Sequence, residues 1–314
     1  MRSILTLFSL SLVLFTPSLV VAKTLNGFSL DNATVPLNLV QSGGPPRDGI
    51  PALTDPKFES GRKAQSVKPR DIVLGLVING EAKAYPLSIL NWHEIVNDTV
   101  GGERVVVSYC PLCGSGMAFE SQPEGDGQRE LEFGVSGLLY SSDVLMYDRE
   151  TESLWSQIHG EAVAGPQVGS NLKQIPMTLS RWSNWLQRYP DTQVLSTETG
   201  YRRDYNRDPY AGYAEHPNVY FPVANQAPSA YYHKEMVLGL LVDGSAIAFP
   251  FSELEKQGKA QFDYSFDNAS YQIHWDSENQ SAWVTDEDGQ TLASTLLFWF
   301  AWYAFYPDTQ VFSG

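Results

Sequence analysis

Two cysteines stand in a chain of 314 residues, and they are three apart: Cys110-Pro111-Leu112-Cys113-Gly114. Spacing of this kind turns both sulfurs toward one point. Pro111 fixes its own φ near −65°, and Gly114 supplies the left-handed conformation that closes such a turn. Three chemistries are open to it. A first-row metal would be held by the two thiolates with one or two further ligands. His93 is the leading third ligand, because its helix end precedes the cysteine strand by only a short turn; Glu94, Asp148 and His159 are candidates for a fourth. Two thiolates with an imidazole suit copper or zinc. The second chemistry is thiol–disulfide exchange, although Gly114-Ser115-Gly116 is poor material for the helix N-terminus that stabilises a reactive thiolate. The third is a structural disulfide stapling a tight turn in a non-enzymatic binding or scaffold module. His93 on its own is more often a satisfied, partly buried histidine than a ligand.

The elements that must position this turn follow from the flanking residues. Val105-Val106-Val107 reads as a buried strand running into Cys110. Before it, residues 71–90 (DIVLGLVINGEAKAYPLSIL) place two apolar runs around Asn79-Gly80, a two-residue hairpin signal. A short helix is expected after Pro86, through Asn91-Trp92-His93-Glu94 and ending near Asn97-Asp98. Downstream, apolar runs on either side of Asp148–Ser153 predict another hairpin. The acidic group Asp143, Asp148, Glu150 and Glu152 reads as a solvated face of it.

The chain repeats itself. Residues 235–254 (EMVLGLLVDGSAIAFPFSEL) answer 71–90 without a gap, and 298–313 (FWFAWYAFYPDTQVFS) answer 181–196 (RWSNWLQRYPDTQVLS). Trp182, Trp185, Leu186 and Tyr189 fall at i, i+3, i+4 and i+7, as do Trp299, Trp302, Tyr303 and Tyr306, the buried stripe of a short helix. Extending the ungapped register puts Gln257 opposite His93, Gly258 opposite Glu94, His274 opposite Cys110 and Ser277 opposite Cys113. The second copy is shorter between its landmarks and lacks the site. The expected fold is α+β: two internally duplicated, mainly antiparallel β units with short helices, packed together.

Residues 1–22 carry a charged start, an apolar core and a small-residue exit, the layout of a secretory signal peptide. The remaining organisation reads as an irregular N-terminal arm over 23–69, a first repeat unit over 70–197, a connection over 198–233 and a second unit over 234–314. No later segment reaches the ~20 apolar residues of a membrane span. The expected location is periplasmic or secreted, with an unidentified periplasmic partner or small ligand. A net charge of −15 without a basic run argues against nucleic acid. No dinucleotide fingerprint, phosphate loop, HExxH or hydrolase elbow is present, so no nucleotide cofactor is indicated.

Several motifs in order carry a family resemblance: WHEIVND (92–98), YCPLCGSGMAF (109–119), FGVSGLLYSSDVLMYDRETESLWSQ (133–157) and RDYNRDPY (203–210). Over about residues 70–255 the chain resembles the bacterial and archaeal family called domain of unknown function 3179. The resemblance implies that His93, Glu94, Cys110, Cys113, Asp143, Tyr147, Asp148, Trp155 and Gln157 belong to family motifs. It brings no assigned activity. His159 lies just outside the motif. The expected function is an exported metal-binding or redox-associated protein centred on Cys110, Cys113 and His93.

Overall fold

A computed structural model describes residues 23–125 and 130–314; the expected signal peptide lies outside them. Sheet dominates. Among these residues, five sheets of three to five strands, with one two-stranded ribbon and four seven-residue α-helices, are arranged in the manner of a five-bladed β-propeller. The expectation of two duplicated units packed as a pair is therefore replaced by five blade-like sheets, nearly all of whose pairings are antiparallel. No helix among the described residues is long and apolar enough to cross a membrane.

The sequence repeat reappears as one sheet copying another. In the first, strand Ile72–Ile78 pairs antiparallel with Glu81–Pro86 and with Met177–Arg181, while Gln193–Leu195 joins Glu81–Pro86 in parallel. In its copy, Met236–Val242, Ser245–Pro250, Ser294–Phe298 and Gln310–Val311 take the same order and senses. Register agrees residue for residue: Ile72↔Arg181 becomes Met236↔Phe298, and Lys83↔Gln193 becomes Ile247↔Gln310. The agreement has a packing cause. Gly75 and Gly239 leave room for Trp185 and Trp302, whose indoles a Cβ would enter. Each indole N–H donates to a threonine seven residues on, Trp185 to Thr192 at 3.0 Å and Trp302 to Thr309 at 2.8 Å.

Helices α1 (Leu87–His93), α2 (Trp182–Arg188), α3 (Phe251–Gln257) and α4 (Trp299–Phe305) each start directly at a strand end. Helices α1 and α3 follow Pro86 and Pro250, which cannot extend the ladder by an N–H. The expected helix end near Asn97 is corrected: α1 stops at His93, and Ile95–Val100 is strand. A three-stranded meander follows in both copies, Ile95–Val100, Glu103–Cys110 and Ser115–Pro123 in the first, Gln261–Phe266, Ala269–Asp276 and Ser281–Thr285 in the second. Its register shows that the second copy gains two residues after α3. Cys110↔Ser115 becomes Asp276↔Ser281, so Asp276 stands opposite Cys110 and Asn279 opposite Cys113, rather than His274 and Ser277.

The fifth sheet, built on Phe133–Tyr140, Asp143–Asp148, Leu154–Ser156 and Glu161–Ala164, occurs only in the first copy. The hairpin across Asp148–Ser153 forms as the sequence suggests. The arm is less irregular than its composition implies: Val40–Ser42, Leu53–Thr54 and Phe58–Ser60 each close the edge of a different sheet. Its Gly- and Pro-rich pieces merely separate strands too short for periodicity to register.

Candidate metal centre

The cysteine turn is held from four directions. Cys110 ends its strand, and the Cys113 amide donates to the Cys110 carbonyl at 3.1 Å. Gly114 takes φ 62°, the left-handed value expected of it. From below, the Gln157 side chain accepts from Ser115 Oγ at 2.6 Å and donates to Ser108 Oγ at 3.1 Å, tying the turn to the fifth sheet. From the second copy, the Phe298 amide donates to the Cys113 carbonyl at 2.8 Å. Above lies the connection, whose Tyr213 is buried in the same apolar cluster as the two cysteines.

Both cysteines are free and essentially without solvent exposure, so the structural disulfide does not form. The third member of the group is Asp143. Its carboxylate oxygen and the two Sγ atoms all lie within 4.8 Å of one another. Asp143 is delivered by the turn Tyr140-Ser141-Ser142-Asp143, in which both serines have positive φ, 53° and 71°. Two non-glycine residues in this region are strained unless the surroundings hold them. Cys113 Sγ donates to the Ser142 carbonyl at 3.4 Å, and Asp143 Oδ2 accepts from the Ile158 amide at 3.1 Å. Asp143 Oδ1, Ser142 Oγ and Tyr213 OH are buried without hydrogen-bond partners.

Electrostatics follow from burial. Loss of solvent pushes the Asp143 carboxyl up to about 7, only partly opposed by the Ile158 and Val144 amides. The same desolvation raises both thiols; Cys113 goes furthest because Cys110 sits beside it. Glu94 is also buried and pushed up to about 7, despite a 3.3 Å hydrogen bond from Tyr210 OH. It lies near enough for its charge to act on Cys110 and for the charge of Asp143 to act on it. Its backbone is unusual, φ 57° and ψ −32° at the end of α1.

A family model described as protein of unknown function (DUF3179) matches residues 47–309. The chain belongs to the DUF3179 family. No match was found among curated proteins or among solved structures. The family match extends beyond the motif-bearing residues 70–255 into the second copy, in keeping with the contact that copy makes to Cys113.

The other residues singled out in this DUF3179 chain divide by location. His93 does not join the cysteines: Nδ1 meets the Pro51 carbonyl at 2.7 Å and Nε2 the Tyr205 hydroxyl at 2.7 Å, so both ring nitrogens are occupied. Burial lowers its pKa. Asp148 is also elsewhere, closing its hairpin by accepting from Thr151 Oγ1 at 2.7 Å and from the Trp155 indole at 2.9 Å. Trp155 is core, and Gln157 supports the turn without joining it. His159 packs edge-on against Phe305 at 4.8 Å and lies outside the group. Tyr147 donates to Asp48 at 2.6 Å.

Asp143 is what the sequence reading placed wrongly. The acidic group splits: Asp143 and Asp148 are buried, while Glu150 and Glu152 are exposed. A carboxylate opening the fully apolar stretch Val144-Leu145-Met146 was the available signal, since an acid at a buried strand start requires a partner. Tyr210 and Tyr213 had no such signal, because the connection containing them lacks periodicity.

Proposed function

We propose that this is a metal-binding protein that holds one first-row ion between Cys110, Cys113 and Asp143. One observation carries the reading: two free, buried thiols share a 4.8 Å neighbourhood with a buried carboxylate whose Oδ1 has no partner. Buried polar atoms are rarely left orphaned, and an ion is one of the few things that satisfies all three groups together. Two thiolates and a carboxylate, with no imidazole, suit zinc better than copper. Three protein ligands leave a fourth position for Glu94 or an exogenous ligand, the arrangement of a working zinc site rather than a closed structural one. Thiol exchange is less well served: burial keeps both sulfurs protonated and out of reach of a partner disulfide. An exported location remains part of the proposal. In an oxidising compartment an adjacent dithiol persists where a metal protects it.

The test is metal content of the full chain after zinc loading and exhaustive dialysis, with cobalt substitution read by its thiolate charge-transfer absorption. One ion per chain is expected, lost in Cys110→Ser and Asp143→Ala and retained in His93→Gln. A parent that keeps no ion, or variants that keep it equally well, would overturn the assignment.

A further inference from the structure

The duplication marks out a second site. Each copy has a hollow between its first helix and the strand end that follows. In the second copy it measures about 300 Å³ and is lined by Phe251, Ser252, Glu255 and Trp275. In the first copy the equivalent residues are Leu87, Ser88, Asn91 and Tyr109, but the hollow has become a cleft of about 1070 Å³. The enlargement comes from the connection. Residues 201–208 form the far wall and place Arg202, Arg203 and Arg207 along it.

Three features of this wall point to a ligand. First, none of the three guanidinium groups forms an ion pair among the described residues, in a chain of net charge −15 that offers carboxylates freely. The cleft's own acids are committed: Asp208 accepts from Asn91 Nδ2 at 2.9 Å, Asp204 from the Asn206 amide and Asp71 from the Lys68 amide. Second, Asn91 lines the cleft, while its Oδ1 is buried beneath that surface without a partner. In the second copy the matching acceptor, Glu255 Oε2, receives the Trp275 indole N–H at 3.2 Å. Third, the wall is fastened to α1 by side chain and backbone, with the Trp92 indole donating to the Arg207 carbonyl at 3.0 Å. The arginines are thus carried on an anchored segment.

We propose that this cleft binds a small oxyanionic molecule, a carboxylate or a phosphate ester. The guanidinium groups of Arg203 and Arg207 take the oxyanion, for which their planar forks are suited. Asn91 Nδ2 holds Asp208, and with it the arginine-bearing wall, in place. Cys110, Cys113 and Asp143 do not line this cleft; its nearest approach to them in sequence is Tyr109.

Calorimetric titration of the full chain with gluconate, glycerol 2-phosphate, inorganic phosphate and neutral glucose tests the proposal. Saturable binding of gluconate or glycerol 2-phosphate, but not glucose, is expected, and which of the two binds more tightly separates carboxylate from phosphate. Arg203→Gln with Arg207→Gln should weaken binding at least about tenfold, the loss of a charge-assisted hydrogen bond. Asn91→Ser, which frees the Asp208 carboxylate beside Arg207, should weaken all the anionic probes together. Lys259→Gln, an exposed charge in the second copy, serves as the control. No saturable binding of any anion overturns the proposal, as does equal weakening by Lys259→Gln. Cys110→Ser should bind as the parent does, so failure of the metal reading would leave this result standing.

Discussion

Replacing Glu94 with glycine should stabilise the protein at neutral pH and destabilise it in mild acid. Glu94 holds φ 57° and ψ −32°, whereas its counterpart in the second copy is Gly258 at φ 65°. Relief of a sparsely populated non-glycine conformation is worth about 1–3 kcal/mol. The buried carboxyl adds a second term. Its pKa rises from 4.5 to about 7 on folding, so over that interval the native chain keeps a proton that the unfolded chain has released. Its contribution is neutral below 4.5, becomes increasingly unfavourable as pH rises toward 7, and levels off above. The plateau is on the order of 3 kcal/mol. Against these gains stand the Tyr210 hydrogen bond, about 1 kcal/mol, and two buried methylenes, about 1.6 kcal/mol, with a further cavity cost of about 1 kcal/mol. The balance favours glycine by about 1–2 kcal/mol near pH 8 and turns against it by about 1 kcal/mol near pH 5. Equilibrium urea unfolding with chelator present, at both pH values, measures the difference. Glu94→Gln keeps the strain but loses the charge, so it should gain only above pH 5. A Glu94→Gly effect of unchanged size at both pH values would refute the electrostatic part. Glutamine should exceed glycine at pH 8, and a shortfall of glycine of about 3.6 kcal/mol or more, the whole cost of the lost hydrogen bond, methylenes and cavity, would refute the strain part.

Other expectations follow from the same packing. Gly75→Ala and Gly239→Ala should each destabilise by about 3 kcal/mol or more, and by similar amounts, because each Cβ enters the equivalent indole; paired thermal melts check this. His93 has a lowered pKa, so below about 6.5 the unfolded chain binds a proton that the fold resists, and stability falls as pH drops, by at most about 1.4 kcal/mol per unit. His93→Gln should lack that contribution, and urea unfolding from pH 7.5 to 5.5, at about half-unit steps, would show parallel curves if the reasoning fails. Gln157→Ala leaves Ser115 and Ser108 unpaired beneath the turn and should cost about 2–4 kcal/mol, measured by the same unfolding assay.

What could be read in advance was whatever depends on local pattern. The Asn79-Gly80 hairpin, the tryptophan helices and the valine strand are each written into adjacent residues, and the repeat could be found because whole strands recur. The number and arrangement of sheets could not, because Leu53–Thr54 and Phe58–Ser60 join sheets through backbone hydrogen bonds that leave little side-chain signature. The centre was half legible. Cys110 and Cys113 announce each other by spacing, but Asp143 arrives from 30 residues away on a sheet that periodicity does not place. His93 was the natural choice in one dimension. In three, α1 turns its imidazole toward Pro51 and Tyr205.

The two copies show what the site costs the fold. Where the first has Cys110-Pro111-Leu112-Cys113-Gly114, the second has Asp276 to Gln280, a turn that satisfies itself: Asp276 accepts from the Asn279 amide at 3.0 Å and from its side chain at 2.8 Å. Where the first strains Glu94, the second relaxes into Gly258; where the first orphans Asn91 Oδ1, the second pairs Glu255 with Trp275. Every buried side-chain polar atom without a partner, among the described residues, precedes residue 234. Most of the scaffold is common to both halves, so folding alone does not demand these penalties. Of these atoms Asp143 Oδ1 and Ser142 Oγ lie at the turn beside the two thiols and Asn91 Oδ1 beneath the cleft, the places where the proposed bound groups would offset their cost.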